Sequence, residues 1–546
     1  MTSNLLDIGK VAAKLGLTEN DLERYGSSMA KVSLEVLKRV QDRPRGKLIL
    51  VTAMNPTKEG EGKTTTTIGL GQALNKMGKK VAIAIREPSL GPCFGIKGGA
   101  TGGGKSTVEP SERINLIFTG DFPAVSAAHN LLSAMINNHI YHGNKLRIDP
   151  RKVTFPRTID MNDRSLRDII VGSDGSESGV LMKDKFVITP ASEIMAILGL
   201  SSSYSDLKQR LSRILVGYSF DGKPVFAGDL KANGAMAALL RDALKPNLVQ
   251  TAEGVPAFVH IGPFGNIAHG TSSIIADRMA LSLTDYLVTE AGFGSELGGE
   301  KFLDMVTRIG NLPVDAVVLV ATIRSIKLNA GVSNSRNEDV AAVEKGVQNV
   351  LKHVEILRNF GIDPVVAINR FPTDTEKEIA KLEEILKKSN VIWALSEVFA
   401  RGGEGGLDLA GKVVEKLSKP VGGIKRTYEE SDTVQNKIIA IAKKVYGASE
   451  VIFEKKAEND LKNIEKIGMG NAYVCMAKNQ YSLTDDPNIL GWPKNFKIHV
   501  KAVSISSGAG FVVPMLGDIM TMPGLPTEPA AVNVDLTDDG TITGLF

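Results

Sequence analysis

A glycine-rich segment from Thr57 to Thr64 contains the residue types that hold phosphate groups. Its glycines, Gly60 and Gly62, can take positive φ and turn backbone N–H groups toward an anion. Lys63 supplies a charge that reaches the terminal phosphates, and the Thr64 hydroxyl is a suitable ligand for Mg²⁺. We call this segment the phosphate loop. The residues predicted to bind ATP are Thr57, Lys58, Glu59, Gly60, Glu61, Gly62, Lys63, Thr64 and Thr65.

The elements on either side of the loop predict where it lies in the fold. Lys47 to Met54 is a short apolar run that predicts a buried strand before the loop. Thr64 to Met77 has helical spacing, and Val81 to Ile85 reads as the next strand. Strand, loop, helix and strand in this order indicate a parallel sheet.

The remaining patterns extend this sheet and suggest three units. Further buried strands are predicted at 185–188, 257–261, 285–289, 315–322 and 365–369, and a capping box at Thr373 and Glu376 predicts a helix to Lys388. Residues 1–45 read as an amphipathic helical extension. The predicted class is α/β, with a P-loop NTPase-like parallel sheet flanked by helices and two smaller α/β units. The predicted units are residues 1–360, 361–455 and 456–546.

Two charged residues, Arg86 and Glu87, follow the second predicted strand directly. Ligands of open parallel sheets bind beyond the carboxyl ends of the strands, near the first loop. A guanidinium at this place can hold a carboxylate or a phosphate through two parallel hydrogen bonds. Arg86 is therefore a candidate for holding a small anion beside the nucleotide.

A tract from Gly95 to Lys105 contains six glycines in eleven residues. So many glycines are costly in backbone entropy, which favours a loop that a ligand or another segment must approach closely. This tract and several others resemble formate–tetrahydrofolate ligases in the family's order, from about residue 45 to the C-terminus. The segments that carry the resemblance are Gly60–Thr67, Arg86–Pro92, Gly95–Gly104, Phe118–Asp121, Pro263–Gly270, Glu290–Gly294, Val320–Arg324, Gly402–Gly406 and Asp518–Pro526.

The resemblance implies a reaction in which ATP drives the joining of formate to tetrahydrofolate through formyl phosphate. It implies Lys63, Arg86 and Asp121 as catalytic residues and Thr64 as a ligand of Mg²⁺. Phe371 and Phe399 would hold the folate ring, with Phe399 standing where the family usually has tryptophan. The family also implies a homotetramer, activation by a monovalent cation (K⁺ or NH₄⁺), and a folate that can carry a polyglutamate tail.

Composition narrows the partners and the compartment. The net charge is +4 from 65 basic and 61 acidic residues, a balance that argues against nucleic acid or an anionic membrane as a partner. No apolar run reaches the ~18 residues that a membrane helix needs. Two distant cysteines, Cys93 and Cys475, suggest a reducing compartment, so we expect a cytoplasmic protein.

Two other functions fit the phosphate loop. One is a carboxylate-activating ligase resembling dethiobiotin synthetase. The other is a partitioning or assembly ATPase, because Lys58 gives the loop a second lysine five residues before Lys63. The chain also departs from the family's pattern near the acyl and folate sites, which leaves a modified folate or a methanopterin-like acceptor open. These departures are at Lys58, Glu59, Thr101, Lys105, Thr107, Ile117, Pro123, Ser325 and Ala330.

Overall fold

A computed structural model of the chain describes residues 5–57, 60–97, 100–419 and 422–545. Within these ranges, twelve strands form one central sheet. In chain order they are β1 Leu22–Arg24, β2 Ala30–Val32, β3 Lys47–Ala53, β4 Val81–Ile85, β5 Gly102–Gly103, β6 Ser106–Glu109, β7 Asn247–Thr251, β8 Pro256–Val259, β9 Tyr286–Glu290, β10 Ala316–Ala321, β11 Val365–Asn369 and β12 Ile392–Ser396.

The strand order is β1-β2-β7-β8-β4-β9-β3-β10-β11-β12, with β6 beside β7 and β5 beside β6. All neighbours from β8 to β12 are parallel, whereas β1, β2, β5, β6 and β7 pair antiparallel. The parallel strands are apolar and buried along nearly their whole length, as expected of strands covered by helices on both faces. The predicted α/β class is confirmed as a large, mostly parallel sheet flanked by helices.

The α-helices in the described residues cover the sheet and build the smaller peripheral layers. They are Ile8–Lys14, Glu35–Val40, Lys63–Lys76, Leu90–Pro92, Ser111–Asn115, Asp121–Tyr141, Glu193–Leu200, Tyr204–Ser212, Asn233–Leu239, Ile274–Leu283, Thr307–Gly310, Ile323–Asn329, Val340–Asn359, Glu376–Lys388, Val398–Arg401, Leu407–Leu417, Val434–Ile441 and Lys455–Lys466. Wider π turns run over Cys93–Lys97, Ser295–Gly299, Phe302–Val306 and Ala442–Tyr446, and tighter 3₁₀ turns over Glu19–Asp21, Arg164–Leu166, Gly175–Ser178, Thr189–Ala191, Gly402–Gly406 and Ala530–Asn533.

The helix Val340–Asn359 illustrates how the sequence fixes these layers. The Asp339 carboxylate accepts the Ala342 N–H at 2.8 Å and caps the first turn. Apolar side chains three or four residues apart then form one buried stripe against the sheet: Val343, Val347, Val350, Val354 and Leu357.

Two local predictions were wrong. Residues 1–45 are not helical throughout, because β1 and β2 form a hairpin that turns at Gly26, with φ +80°, and extends the edge of the sheet. The capping box near residue 375 pairs Thr375 with Glu378 rather than Thr373 with Glu376. Thr373 lies in a turn closed by the Asp374 carboxylate, which accepts the Phe371 N–H at 2.8 Å, so the helix begins later.

Smaller sheets lie outside the central one. Phe186–Ile188, predicted as a buried strand, pairs in parallel with Arg157–Ile159 in a separate two-stranded sheet. The remaining strands are Ile148–Val153, Ile169–Val171, Met182–Asp184, Leu215–Ser219, Pro224–Phe226, Glu450–Phe453, Tyr473–Val474, Lys497–Val500, Ala502–Ser506, Phe511–Met515, Asp535–Leu536 and Ile542–Thr543.

The three-unit division of the chain stays a prediction. β11 and β12, which belong to the predicted second unit, are hydrogen-bonded into the central sheet beside β10. Within the described ranges, no helix is both long and apolar enough to cross a bilayer.

Candidate active site

The phosphate loop joins the end of β3 to the helix that begins at Lys63. Gly60 and Gly62 have φ of +80° and +68°, a region that favours glycine. A Cβ on Gly62 would lie 2.3 Å from Nδ2 of Asn369, which itself donates to the Glu61 carbonyl at 3.0 Å. The loop therefore needs glycine at position 62. The helix that begins at Lys63 points the positive end of its dipole at the loop. Lys58 and Glu59 lie outside the described residues.

Glu61 closes the loop from inside. Its buried carboxylate accepts the Thr57 N–H at 2.7 Å and the Thr322 hydroxyl just beyond β10. Burial raises the pKa of Glu61 above its usual range, and these hydrogen bonds oppose that shift. The side chain thus braces the loop, so any contact of this residue with nucleotide would come from its backbone.

The Glu290 carboxylate, which had no predicted role, lies next to the loop. The Thr64 hydroxyl donates to Oε2 of Glu290 at 2.9 Å, and Glu290 ends β9, the strand between β3 and β4. A hydroxyl and a carboxylate are oxygen ligands of the kind that Mg²⁺ prefers. Among the described residues no three His, Cys, Asp or Glu side chains are grouped to hold a metal ion, so phosphate and water would complete the shell. The signal for Glu290 was available: it is a polar residue directly at a strand end, as Arg86 is.

Arg86 follows β4 and is held beside Glu290. Its Nη1 donates to the Pro263 carbonyl at 3.2 Å, while its buried Nε has no hydrogen-bond partner. Burial lowers the pKa of Arg86, and the charge of Glu290 opposes this shift. A Cβ on Gly292 would lie 3.3 Å from Nη1, so glycine leaves the guanidinium its space. A buried guanidinium with an unused donor is well suited to an anionic ligand.

Asp121 begins a long helix and lies in a buried polar cluster. Its oxygens accept from Nζ of Lys31 at 2.7 Å and from Nδ2 of Asn247 at 2.7 Å, and Lys31 and Asp121 are each 1% exposed. Glu87, next to Arg86, belongs to the same cluster. Burial, and then the charge of Asp121, raise the pKa of Glu87 well above its usual range. Both Asp121 oxygens therefore already accept hydrogen bonds from protein donors. The sequence did not predict Lys31 as part of this cluster.

We expect Lys31→Met to destabilise the protein by about 3–5 kcal/mol, because it leaves Asp121 as a buried charge without its partner. The free energy of unfolding in urea measures this change. The control is Arg24→Met in the same hairpin. Arg24 pairs with Asp7 and Glu19 at the surface, where solvent screens the charges, so its loss should have a much smaller effect. Equal effects of the two substitutions would contradict the account of the Lys31 pair.

The two phenylalanines predicted to hold folate follow the ends of adjacent strands. Phe371 comes two residues after β11, and the Arg324 guanidinium carbon lies 3.6 Å from its ring centroid. Phe399 follows β12 and is 54% exposed, and its carbonyl accepts the Lys105 N–H at 2.9 Å. A Cβ on Gly103 would lie 3.0 Å from the Phe399 ring, so the glycine tract packs closely on it. An exposed aromatic ring fixed by its backbone offers a face for a flat ligand.

Comparison with known proteins gives the identity of the family. A family model for formate–tetrahydrofolate ligase matches residues 1–546. Formate–tetrahydrofolate ligases of Thermoplasma volcanium and Thermoplasma acidophilum are 66% and 67% identical over 540 residues, covering 99% of this chain and 100% of each relative. The formate–tetrahydrofolate ligase of Symbiobacterium thermophilum is 53% identical over 547 residues, covering 100% of this chain and 98% of the relative.

Fold, site and relatives together define an ATP-dependent ligase. Identity of this extent over nearly the whole length of chain and relatives leaves no large segment unmatched. The chain belongs to the formate–tetrahydrofolate ligase family.

Proposed function

We propose that this protein joins formate to tetrahydrofolate, giving 10-formyltetrahydrofolate, ADP and phosphate, and that the reaction takes place beside the phosphate loop. The main support for the proposal is that Thr64 and Arg86 both lie beside the Glu290 carboxylate. Thr64 lies at the start of the loop helix, and Glu290 and Arg86 lie at the ends of the neighbouring strands β9 and β4. This arrangement sets groups for a nucleotide phosphate next to a guanidinium for a small acid.

In the first step a formate oxygen attacks the γ-phosphorus of ATP, the bond to the β–γ bridging oxygen breaks, and ADP leaves. Lys63 and the loop N–H groups stabilise the charge on the phosphoryl oxygens. Arg86 holds formate in line and keeps the resulting formyl phosphate from diffusing away. Thr64 and Glu290 would hold Mg²⁺, which when bound neutralises phosphate charge.

In the second step the folate amine attacks the carbonyl carbon of formyl phosphate, and the carbon–oxygen bond to phosphate breaks. The amine loses a proton, and the tetrahedral oxyanion requires a nearby donor such as Arg86. For Asp121, which the resemblance implies as a catalytic residue, we propose that it orients the amine or takes its proton. Each of its oxygens already accepts one hydrogen bond, from Lys31 or from Asn247, so the amine must use a remaining lone pair of this buried carboxylate.

The folate ring is placed at the ends of β11 and β12, against Phe371 and Phe399. Loss of a stacking face weakens binding of the flat ring and leaves the phosphate loop unchanged. We therefore expect Phe399→Ala to raise the KM for tetrahydrofolate about tenfold, a loss of about 1.4 kcal/mol of binding, while the KM for ATP changes less than about twofold. Steady-state kinetics with each substrate varied in turn measure both constants. A Phe399→Trp variant, which restores the larger ring, is the matched control. If Phe399→Ala raised both KM values equally, the side chain would have a packing role.

One assay tests the function as a whole. Protein, Mg-ATP, formate and tetrahydrofolate are mixed, the sample is acidified, and the absorbance of methenyltetrahydrofolate is read. Product that requires all three substrates supports the proposal. ADP release that ignores formate and folate would instead favour the ATPase switch. ADP release that depends on another acid, with no methenyltetrahydrofolate formed from formate, would favour the dethiobiotin-synthetase-like ligase.

We also propose a nucleotide-binding fold, a cellular compartment and an oligomeric state for this protein. We assign a P-loop NTPase-like nucleotide fold, because a glycine-rich loop leads from β3 into a helix of a parallel sheet. The two thiols are buried and unpaired, which suits a reducing cytoplasm. A homotetramer, activation by K⁺ or NH₄⁺, and use of polyglutamylated folate are expected from the family.

A further inference from the structure

Asn55 connects β3 to the phosphate loop, and its backbone is tied to two helices. The residue is fully buried and is followed directly by Pro56 and Thr57. Its N–H donates to Nε2 of His353 at 3.1 Å, and its carbonyl accepts the Ser325 hydroxyl at 2.8 Å. The backbone that enters the loop is therefore fixed on both sides.

The Asn55 side chain reaches a distant part of the sequence. Its Nδ2 donates to Oε1 of Glu296 at 2.9 Å and to the Gln480 carbonyl at 3.2 Å. Its Oδ1 accepts Nδ2 of Asn349 at 2.9 Å, and the same amide group donates to the Gly491 carbonyl at 2.8 Å. Residues 478–491, which we call the C-terminal segment, thus contact the Asn55 amide directly at Gln480 and indirectly, through Asn349, at Gly491.

Glu296 has a lysine from this segment as its counter-charge. Nζ of Lys478 lies 3.3 Å from Oε1 of Glu296, the oxygen that accepts from Asn55, and both side chains are 0% exposed. Lys478 also donates to the Asn479 carbonyl at 2.9 Å and to the Ser482 carbonyl. His353, 3.7 Å from the other Glu296 oxygen, is neutral near pH 7 because burial lowers its pKa to about 4.

The same segment forms a wall beside the loop. Tyr481 and Leu490 line a cavity of about 460 Å³ together with Pro56 and Thr57. The C-terminal segment therefore touches both the residue that enters the loop and the space next to it.

We propose that Lys478 is a positioning residue for the phosphate loop, acting through Glu296 and Asn55, so that the C-terminal segment sets how tightly the loop holds nucleotide. The proposal rests on the assignment of this loop to ATP. Without Lys478, the buried Glu296 carboxylate loses its counter-charge and must turn toward another donor or draw in water. Either change alters the acceptor that fixes the Asn55 amide, and the loop entrance shifts with it.

The test is Lys478→Met, compared with the double variant Glu296→Gln/Lys478→Met. We expect Lys478→Met to raise the Kd for Mg-ADP, measured by calorimetry, and the KM for ATP about tenfold, with the KM for tetrahydrofolate changed less than about twofold. The double variant should recover most of the nucleotide affinity. The amide oxygen of the glutamine at position 296 still accepts from Asn55 but needs no counter-charge. The double variant should also fold more readily than Lys478→Met, because it buries no unpaired charge.

The matched control is Lys437→Met. Lys437 is also buried, at 1% exposed, but it donates to backbone carbonyls outside the loop, those of Glu430, Asn471 and Ala472. The substitution should lower the unfolding temperature and leave the KM for ATP unchanged. Equal effects of both lysine variants on all KM values, or a folded double variant that remains tenfold weak, would overturn the positioning role. If Lys63→Ala also left the Kd for Mg-ADP unchanged, the failure would lie in the assignment of the loop itself.

Discussion

Lys63→Ala should lower kcat/KM for ATP at least about a thousandfold, equivalent to about 4 kcal/mol of transition-state stabilisation. Lys63 is the first residue of the helix that follows the loop, where its ammonium can reach the terminal phosphates. Alanine is a good helix former, so the helix and the unfolding temperature should be preserved. Methenyltetrahydrofolate formation and circular dichroism during heating measure the two quantities.

Lys76→Ala is the matched control for this substitution. Lys76 lies in the last turn of the same helix and makes an ion pair with Glu253 at 3.6 Å. Its loss should change kcat/KM less than about twofold, since a partly exposed pair of this kind contributes at most about 1 kcal/mol to stability. Near-native turnover of Lys63→Ala would refute the phosphate role of the loop.

Glu290→Gln should lower kcat about a hundredfold and raise the Mg²⁺ concentration needed for half-maximal activity. Glutamine keeps an oxygen that can accept from Thr64 but removes the charge that Mg²⁺ and Arg86 both require. Removing one electrostatic contact of this kind from an active site typically costs about 10²–10³ in kcat. Initial rates over a Mg²⁺ titration at saturating ATP give both values.

Variants of Thr64 provide the comparison for Glu290. Thr64→Ser keeps the hydroxyl and should keep most activity, whereas Thr64→Val should reproduce the raised Mg²⁺ requirement. If Glu290→Gln lost activity with an unchanged Mg²⁺ requirement, Glu290 would act on Arg86 alone. Unchanged activity would remove Glu290 from the site.

The parallel sheet could be predicted because its strands are short, continuous apolar runs. β3, β4, β8, β9, β10 and β11 all lie within a few residues of the predicted positions. β5, β6, β7, β12 and the hairpin β1–β2 were not predicted. β7 joins β2 and β6 on the antiparallel side of the sheet, where pairing depends on contacts between residues far apart in sequence. Residues 1–45 contain enough apolar spacing to suggest helix, and tertiary pairing overrides that local preference.

The site was predictable to the extent that it lies at strand ends. Arg86 and the loop were proposed from their positions at strand ends, and Glu290, added from the structure, follows the same rule. Lys31 and Lys478 could not be found, because each becomes important through a single carboxylate that lies 90 and 182 residues away in the chain. A lysine that folding buries reads in the sequence as an ordinary surface lysine.

Asn369 and Phe371 are separated by one residue on the same backbone. The Asn369 side chain donates to the Glu61 carbonyl in the loop, and Phe371 provides part of the proposed pterin site. A ligand that shifts one of these contacts acts on the backbone that also carries the other, and thermodynamic linkage makes any resulting coupling reciprocal. On the proposed assignments, coupling between nucleotide and folate would run through three residues at the end of β11 and would need no domain movement.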